Sequence, residues 1–87
     1  MTYPVVLSKL AQKKFETYLH ADRKIGQQIA KAIDKLAENP HLGESLKGEW
    51  KQYLKYRTGR YRIIYRLEHQ KIMIFIVTID DSKNVYR

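Results

Sequence analysis

The chain contains no cysteine, which excludes a disulfide framework and a thiolate zinc site and leaves packing to hold the fold. A reducing compartment is compatible with that. Proline occurs twice and glycine four times in 87 residues, too sparsely for a low-complexity linker; no internal repeat or phosphate-cradling glycine motif is present. No apolar run reaches the length of a membrane span. The opening Met1-Thr2-Tyr3-Pro4-Val5-Val6-Leu7 lacks the basic lead, long apolar region and small-residue cleavage site of a secretory signal. His20, His41 and His69 fall in separate predicted turns without acidic partners at ligand spacing, so neither a metal nor a cofactor is expected. The expectation is one soluble cytoplasmic domain over residues 1–87 that starts natively at residue 1, with no membrane partner.

Acidic residues are also scarce. Nine Asp and Glu stand against seventeen Lys and Arg, a formal net charge of +8, and much of the excess falls between Lys47 and Arg66. Such a field favours polyanions, although charge alone does not separate nucleic acid from an acidic protein segment or a solubility role.

Hydrophobic spacing predicts an α+β fold. Residues 3–7 read as a first strand, with Ser8 placed to cap a helix over residues 9–20 whose apolar positions are Ala11, Phe15, Tyr18 and Leu19. Lys9, Lys13 and Lys14 read as its solvated side. Asp22 caps a second helix striped by Ile25, Ile29, Ala32, Ile33 and Leu36, which stops at Glu38-Asn39-Pro40. Residues 40–48 read as an irregular connection. Three strands follow, near 51–57, 61–68 and 72–79, as an antiparallel meander with the helix hairpin on one face. The third, Ile72-Met73-Ile74-Phe75-Ile76-Val77-Thr78-Ile79, is apolar on both faces and belongs inside the sheet rather than at its edge.

The segment from Tyr53 to Arg66 carries the functional signal. Strand alternation sends Tyr61, Ile63 and Tyr65 into the core and places Arg60, Arg62 and Arg66 on the other face. Tyr53 shares the parity of Lys55 and Arg57. Only Glu49 and Glu68 lie nearby, too few to neutralise this array. Trp50, at the start of a strand, reads as core or rim, with stacking on RNA as the alternative.

With its order of strand, helix, helix and three strands, its Leu46-Lys47-Gly48 connection, its Arg57-Thr58-Gly59-Arg60-Tyr61-Arg62-Ile63-Ile64-Tyr65 centre, its helix-ending Asn39-Pro40 and its terminal Val85-Tyr86-Arg87, the sequence resembles the RelE/ParE superfamily of bacterial toxins over nearly its whole length. In the RelE branch the resemblance implies a ribosome-dependent endonuclease that cuts mRNA in the decoding site and is silenced by a RelB-like antitoxin; the implied partners are that antitoxin, the ribosome and mRNA. Matching positions put Lys55 beside the scissile phosphate, Arg62 on it and Tyr86 at the site edge as catalytic residues. Tyr53, by its parity with Lys55 and Arg57, and the cations Arg57, Arg60, Lys83 and Arg87 read as RNA or phosphate contacts.

The chain departs from the family pattern at two places. Asp81-Ser82 stands where many ribonuclease members carry His-Arg or another basic residue, with Lys83 as the adjacent substitute, and Asp80 and Asp81 would repel phosphate unless they point away. They read as a solvated acidic pair in a loop. Tyr53 stands where well-studied members have a second lysine.

Metal-free RNA cleavage requires a base for the 2′-hydroxyl, cations for the dianionic transition state and an acid for the leaving oxygen. The sequence offers cations but few ordinary bases. Lys55 would have to lose its proton to act as one, which Arg57 and Arg62 favour, because like charges disfavour the protonated form. Arg62 stays charged and suits a phosphate as a bidentate donor. Tyr86 reads equally as a site residue or as a tail residue packed on the domain. Two other functions remain open at this stage: a ParE-like toxin that blocks DNA gyrase by protein binding, and a weakly catalytic module whose basic groove holds an acidic, amphipathic antitoxin segment. No helix with a clustered basic face supports a DNA-binding repressor.

Overall fold

A computed structural model of the chain describes residues 2–82. The chain runs through β1 (Val5–Leu7), α1 (Lys9–Ala21), α2 (Arg23–Glu38), β2 (Glu44–Ser45), β3 (Tyr53–Thr58), β4 (Tyr61–Glu68) and β5 (Met73–Asp81), with single 3-10 turns at Pro40–Leu42 and Gly48–Trp50. The five strands form one sheet in the order β1-β5-β4-β3-β2; β1 is parallel to β5 and every other pairing is antiparallel. This is the expected α+β architecture, with β5 inside the sheet between β1 and β4.

Local chemistry sets the helix boundaries. Ser8 accepts a hydrogen bond from the Ala11 N–H at 3.0 Å and so caps α1, and Asp22 accepts from the Lys24 N–H at 3.0 Å to cap α2, each satisfying a backbone donor that has no intrahelical acceptor. Asn39 ends α2 and accepts from the His41 N–H, with Pro40 opening the 3-10 turn that follows. The two helix stripes meet one face of the sheet. Ala11, Ile29, Ala32 and Leu36 close on Tyr61, Ile63, Tyr65, Ile74, Ile76 and Ile79 in a core from which water is almost wholly excluded.

The sequence reading misses two features of the sheet. The first is β2, two exposed residues inside the segment expected to be irregular. The second is a bulge. Ile64 pairs with Thr78 but Tyr65 pairs with Ile76, so Val77 is an extra residue in β5, and an extra residue inverts the alternation beyond it. The buried set therefore runs Ile74, Ile76, Ile79, Asp81. Ser8 secures the bulge: its hydroxyl donates to the Val77 carbonyl at 2.6 Å and its N–H to the Ile76 carbonyl at 2.9 Å. One side chain thus starts α1 and holds the bulge that changes which β5 residues face the helices.

Candidate functional site

The helices cover one face of the sheet, and the register between strands dictates what stands on the other. Directly opposed residues in an antiparallel pair project to the same side, so the open face is built of cross-strand rows. One row joins Arg57, Arg62 and Asp80. The next joins Glu44, Lys55, Ile64 and Thr78, and the third joins Tyr53, Arg66 and Phe75. Rows on one face lie about 7 Å apart, two residues of strand rise. Between them, Leu54, Tyr56 and Thr58 of β3 alternate to the helix side together with Tyr65, Ile63 and Tyr61.

Lys55, Arg57 and Arg62 thus converge as the parity argument expected. Arg57 and Arg62 are directly opposed, and like charges in that position destabilise a sheet. Among the described residues neither Lys55 nor Arg57 is held in a salt bridge. The half-buried Arg62 lies between Arg57 on one side and Asp80 on the other.

Arg60 and Arg66 are placed differently from Lys55 and Arg57. Arg60, expected beside Arg62, belongs to the β3–β4 turn, where Gly59 takes φ +62, a conformation that glycine adopts freely. Its guanidinium pairs with the buried Asp81 at 2.8 Å and lies over the Tyr61 ring; contact with the Tyr61 phenol and the Asp81 charge shift its pKa upward. Arg66 shares the open face but is taken by Glu68, and its guanidinium covers the Phe75 ring at 4.9 Å.

Asp80 and Asp81 are not a solvated loop pair. Both end β5, and each has its own cation. Asp80 accepts from Lys14 at 2.7 Å and from the Thr78 hydroxyl at 3.1 Å, while Asp81 accepts from Arg60. Lys14, expected on the solvated side of α1, is therefore an ion-pair partner, and its hydrogen bond to Asp80 raises its pKa. Ser82 is buried, with its N–H donating to the Arg60 carbonyl at 2.7 Å. Lys83, Tyr86 and Arg87 lie outside the described residues.

Glu44 is the residue that sequence reasoning missed. It stands directly opposite Lys55 and, with Leu42, Lys55, Tyr56 and Arg57, lines a cavity of about 190 Å³. The core fixes its position. The hydroxyl of the buried Tyr65 donates to the Pro40 carbonyl at 2.6 Å and accepts from the Gly43 N–H at 3.0 Å, clamping the chain immediately before Glu44. A Cβ at Gly43 would stand 2.5 Å from that hydroxyl and 3.0 Å from the Lys55 carbonyl, so the approach requires glycine. Burial raises the Tyr65 pKa and keeps its phenol protonated. The one sequence signal for Glu44 is a carboxylate just ahead of Leu46-Lys47-Gly48.

A larger depression, of about 340 Å³, lies between α2 and β3 and is lined by Lys24, Lys31 and Lys35 among others. Its lysines follow the solvated stripe of α2, and no carboxylate or arginine joins them. No group of three or more potential metal ligands comes together among the described residues, and no helix there is long and apolar enough to cross a membrane.

The family model described as the ParE toxin of type II toxin-antitoxin systems matches residues 5–86. Among solved structures, the RelBE2 toxin-antitoxin complex of Mycobacterium tuberculosis superposes with a TM-score of 0.82 at 22% identity, covering 93% of this chain and 99% of that one. A YoeB/ParE toxin from Agrobacterium tumefaciens gives 0.78 at 22% identity, over 90% and 96% of the two chains. The isolated E. coli RelE toxin gives 0.78 at 18% identity, over 92% and 84%. At these identities the likeness to solved structures is one of fold. No curated protein sequence matches the chain.

Proposed function

The chain belongs to the ParE toxin family of type II toxin-antitoxin systems, and from that premise we propose that it is a ribosome-dependent endoribonuclease that stops translation by cutting mRNA. The observation that carries this reading is the grouping of Glu44, Lys55, Arg57 and Arg62 on two neighbouring rows of the sheet face opposite the helices. In the proposed reaction the Glu44 carboxylate takes the proton of the RNA 2′-hydroxyl. The 2′-oxygen attacks the adjacent phosphorus, and the bond to the 5′-oxygen breaks as the Lys55 ammonium returns a proton to it. Arg62, with Arg57 beside it, stabilises the dianionic transition state through charge-assisted hydrogen bonds. A carboxylate base removes the need for a deprotonated Lys55. Tyr53 borders the site, and Arg60, tied to Asp81, is peripheral to it. Tyr86 keeps the role that the resemblance implies, and Lys83 and Arg87 that of phosphate-binding cations.

Primer extension on message in a translation reaction tests this reading. New 5′ ends that appear only with ribosomes, and vanish in Glu44→Gln and Arg62→Ala, are the expected result; an unchanged message overturns it.

A second reading, inhibition of DNA gyrase, has one observation in its favour. Where a further basic group would be expected, Ser82 is buried and Asp81 is already neutralised, so that position supplies no cation. Loss of gyrase supercoiling activity with message left intact would establish it. Under either reading the silencing partner is an antitoxin with an acidic, amphipathic segment. The exposed Leu10 shares a surface depression with Lys13, Lys14, Thr17 and Tyr18 of α1, a combination that suits such a helix. Leu10→Asp should weaken antitoxin binding and leave cleavage intact; unaltered affinity would remove α1 from that interface.

A further inference from the structure

Trp50 is the only tryptophan in the chain, and 56% of its surface is exposed on the 3-10 turn that leads into β3. Core packing does not account for it, because so much apolar area left in water forgoes the gain of burial. Its ring lies 5.8 Å from that of Tyr53, tilted by 49°. Tyr53 in turn stands directly across from Arg66, and its proximity to Gln52 and Arg66 lowers its pKa. Arg66 is fixed by Glu68 and by the Phe75 ring. Two aromatic rings therefore stand on a braced base at one end of the line Tyr53, Lys55, Arg57.

We propose that Trp50 and Tyr53 form a stacking shelf for an unpaired RNA base beside the phosphate held by Lys55 and Arg62. The proposal rests on the RNA-cleavage reading and adds to it a site for base recognition. Three features favour RNA as the occupant. An aromatic face accepts any base, so stacking adds grip without restricting sequence. Tyr53 precedes Lys55 by two residues on the same face, about 7 Å along the strand, a distance a nucleotide spans between its base and a neighbouring phosphate. Arg66 is already paired with Glu68, so the charge that attracts phosphate is concentrated on Lys55 and Arg57 rather than at the shelf. Trp, Tyr and Arg also make protein hot spots, so an acidic antitoxin peptide is the competing occupant that the titration must separate from RNA.

The lone tryptophan reports on its own site. The full chain is titrated at low salt with a labelled single-stranded 2′-O-methyl RNA oligonucleotide, which cannot be cleaved, while Trp50 emission and label anisotropy are followed together. Emission should be quenched in step with binding. An abasic oligonucleotide of the same length should bind through its phosphates and leave emission unchanged. Trp50→Ala should weaken binding about 5- to 150-fold, the range of a lost base-aromatic stack, and Trp50→Phe should restore most of it. Trp50 is exposed, so both variants should melt as the wild type does.

Binding that Arg62→Ala weakens, but to which Trp50 emission and Trp50→Ala are indifferent, would overturn the shelf and leave the cleavage reading standing. Absence of any binding by the wild type would also overturn the shelf, and primer extension, which needs no free oligonucleotide, would then judge cleavage separately. Quenching by an acidic antitoxin peptide but not by RNA would make Trp50 a protein anchor and end the proposal.

Discussion

Tyr65 and Tyr53 occupy neighbouring strands of one sheet, and the difference between them is the difference between its two faces. Tyr65 points to the helices, is wholly buried, and spends both hydrogen-bonding capacities of its hydroxyl on the Pro40 carbonyl and the Gly43 N–H. Tyr53 points the other way, keeps part of its surface in water and stands beside Trp50 and Arg66. A two-residue period lets one strand supply both a core and a site. The faces are nonetheless coupled, because Tyr65 positions the chain that carries Glu44.

Substitutions on the two faces should separate stability from activity. Ile63→Ala on the covered face should cost about 2–5 kcal/mol of stability through the cavity it leaves, read by chemical denaturation, while cleavage below its melting temperature stays near wild type. Arg62→Ala, one residue away on the open face, should lower cleavage about 10²–10³-fold, the usual effect of losing one transition-state donor, with a much smaller stability change. If both variants lost stability and activity in proportion, the division between the faces would fail.

Tyr65→Phe tests the coupling. It leaves two backbone groups without their partner and should cost about 1–3 kcal/mol, with cleavage reduced even where the protein is folded. Because burial raises the Tyr65 pKa in the folded state, its contribution is complete below the ordinary phenol value near pH 10 and is lost as pH rises through the higher folded value. Alkaline melting curves should therefore fall less steeply for Tyr65→Phe than for wild type.

Ile72 tests the hairpin that joins β4 to β5. It holds φ +50 with its side chain exposed, a conformation unfavourable for a β-branched residue. Ile72→Gly should raise stability by about 1 kcal/mol, seen as a higher melting temperature, without touching either face. The smallest effect belongs to the Lys14–Asp80 pair. Lys14→Ala should change stability by about 1 kcal/mol or less, and by less still at high salt. A large loss would mean that Asp80 depends on Lys14 to stand beside Arg62.

The elements whose side chains carry a regular period were legible in the sequence. The Ser8 and Asp22 caps, the Ile29, Ala32 and Leu36 stripe and the alternation through Tyr61, Ile63 and Tyr65 follow from spacing alone, whereas the grouping of Lys55, Arg57 and Arg62 needed strand parity and the family resemblance together. What escaped depends on distant contacts. β2 is two exposed residues held between the Tyr65 clamp before it and the Leu46 N–H bond to the Tyr53 carbonyl after it, so Glu44 carried no periodic signal. The extra residue at Val77 is visible only against the register of β4, and the partners of Asp80 and Asp81 come from α1 and from the β3–β4 turn. Arg60 reads as a face residue because alternation was extended one position past the end of the strand.

Cleavage of translated message is the activity proposed for the open face. Primer extension on message in a translation reaction, comparing wild type with Arg62→Ala at matched folded concentrations, tests it most directly. Ribosome-dependent ends in the wild type that disappear in Arg62→Ala are the predicted result. A wild type that leaves the message whole, or identical ends in both proteins, would rule out cleavage by this face.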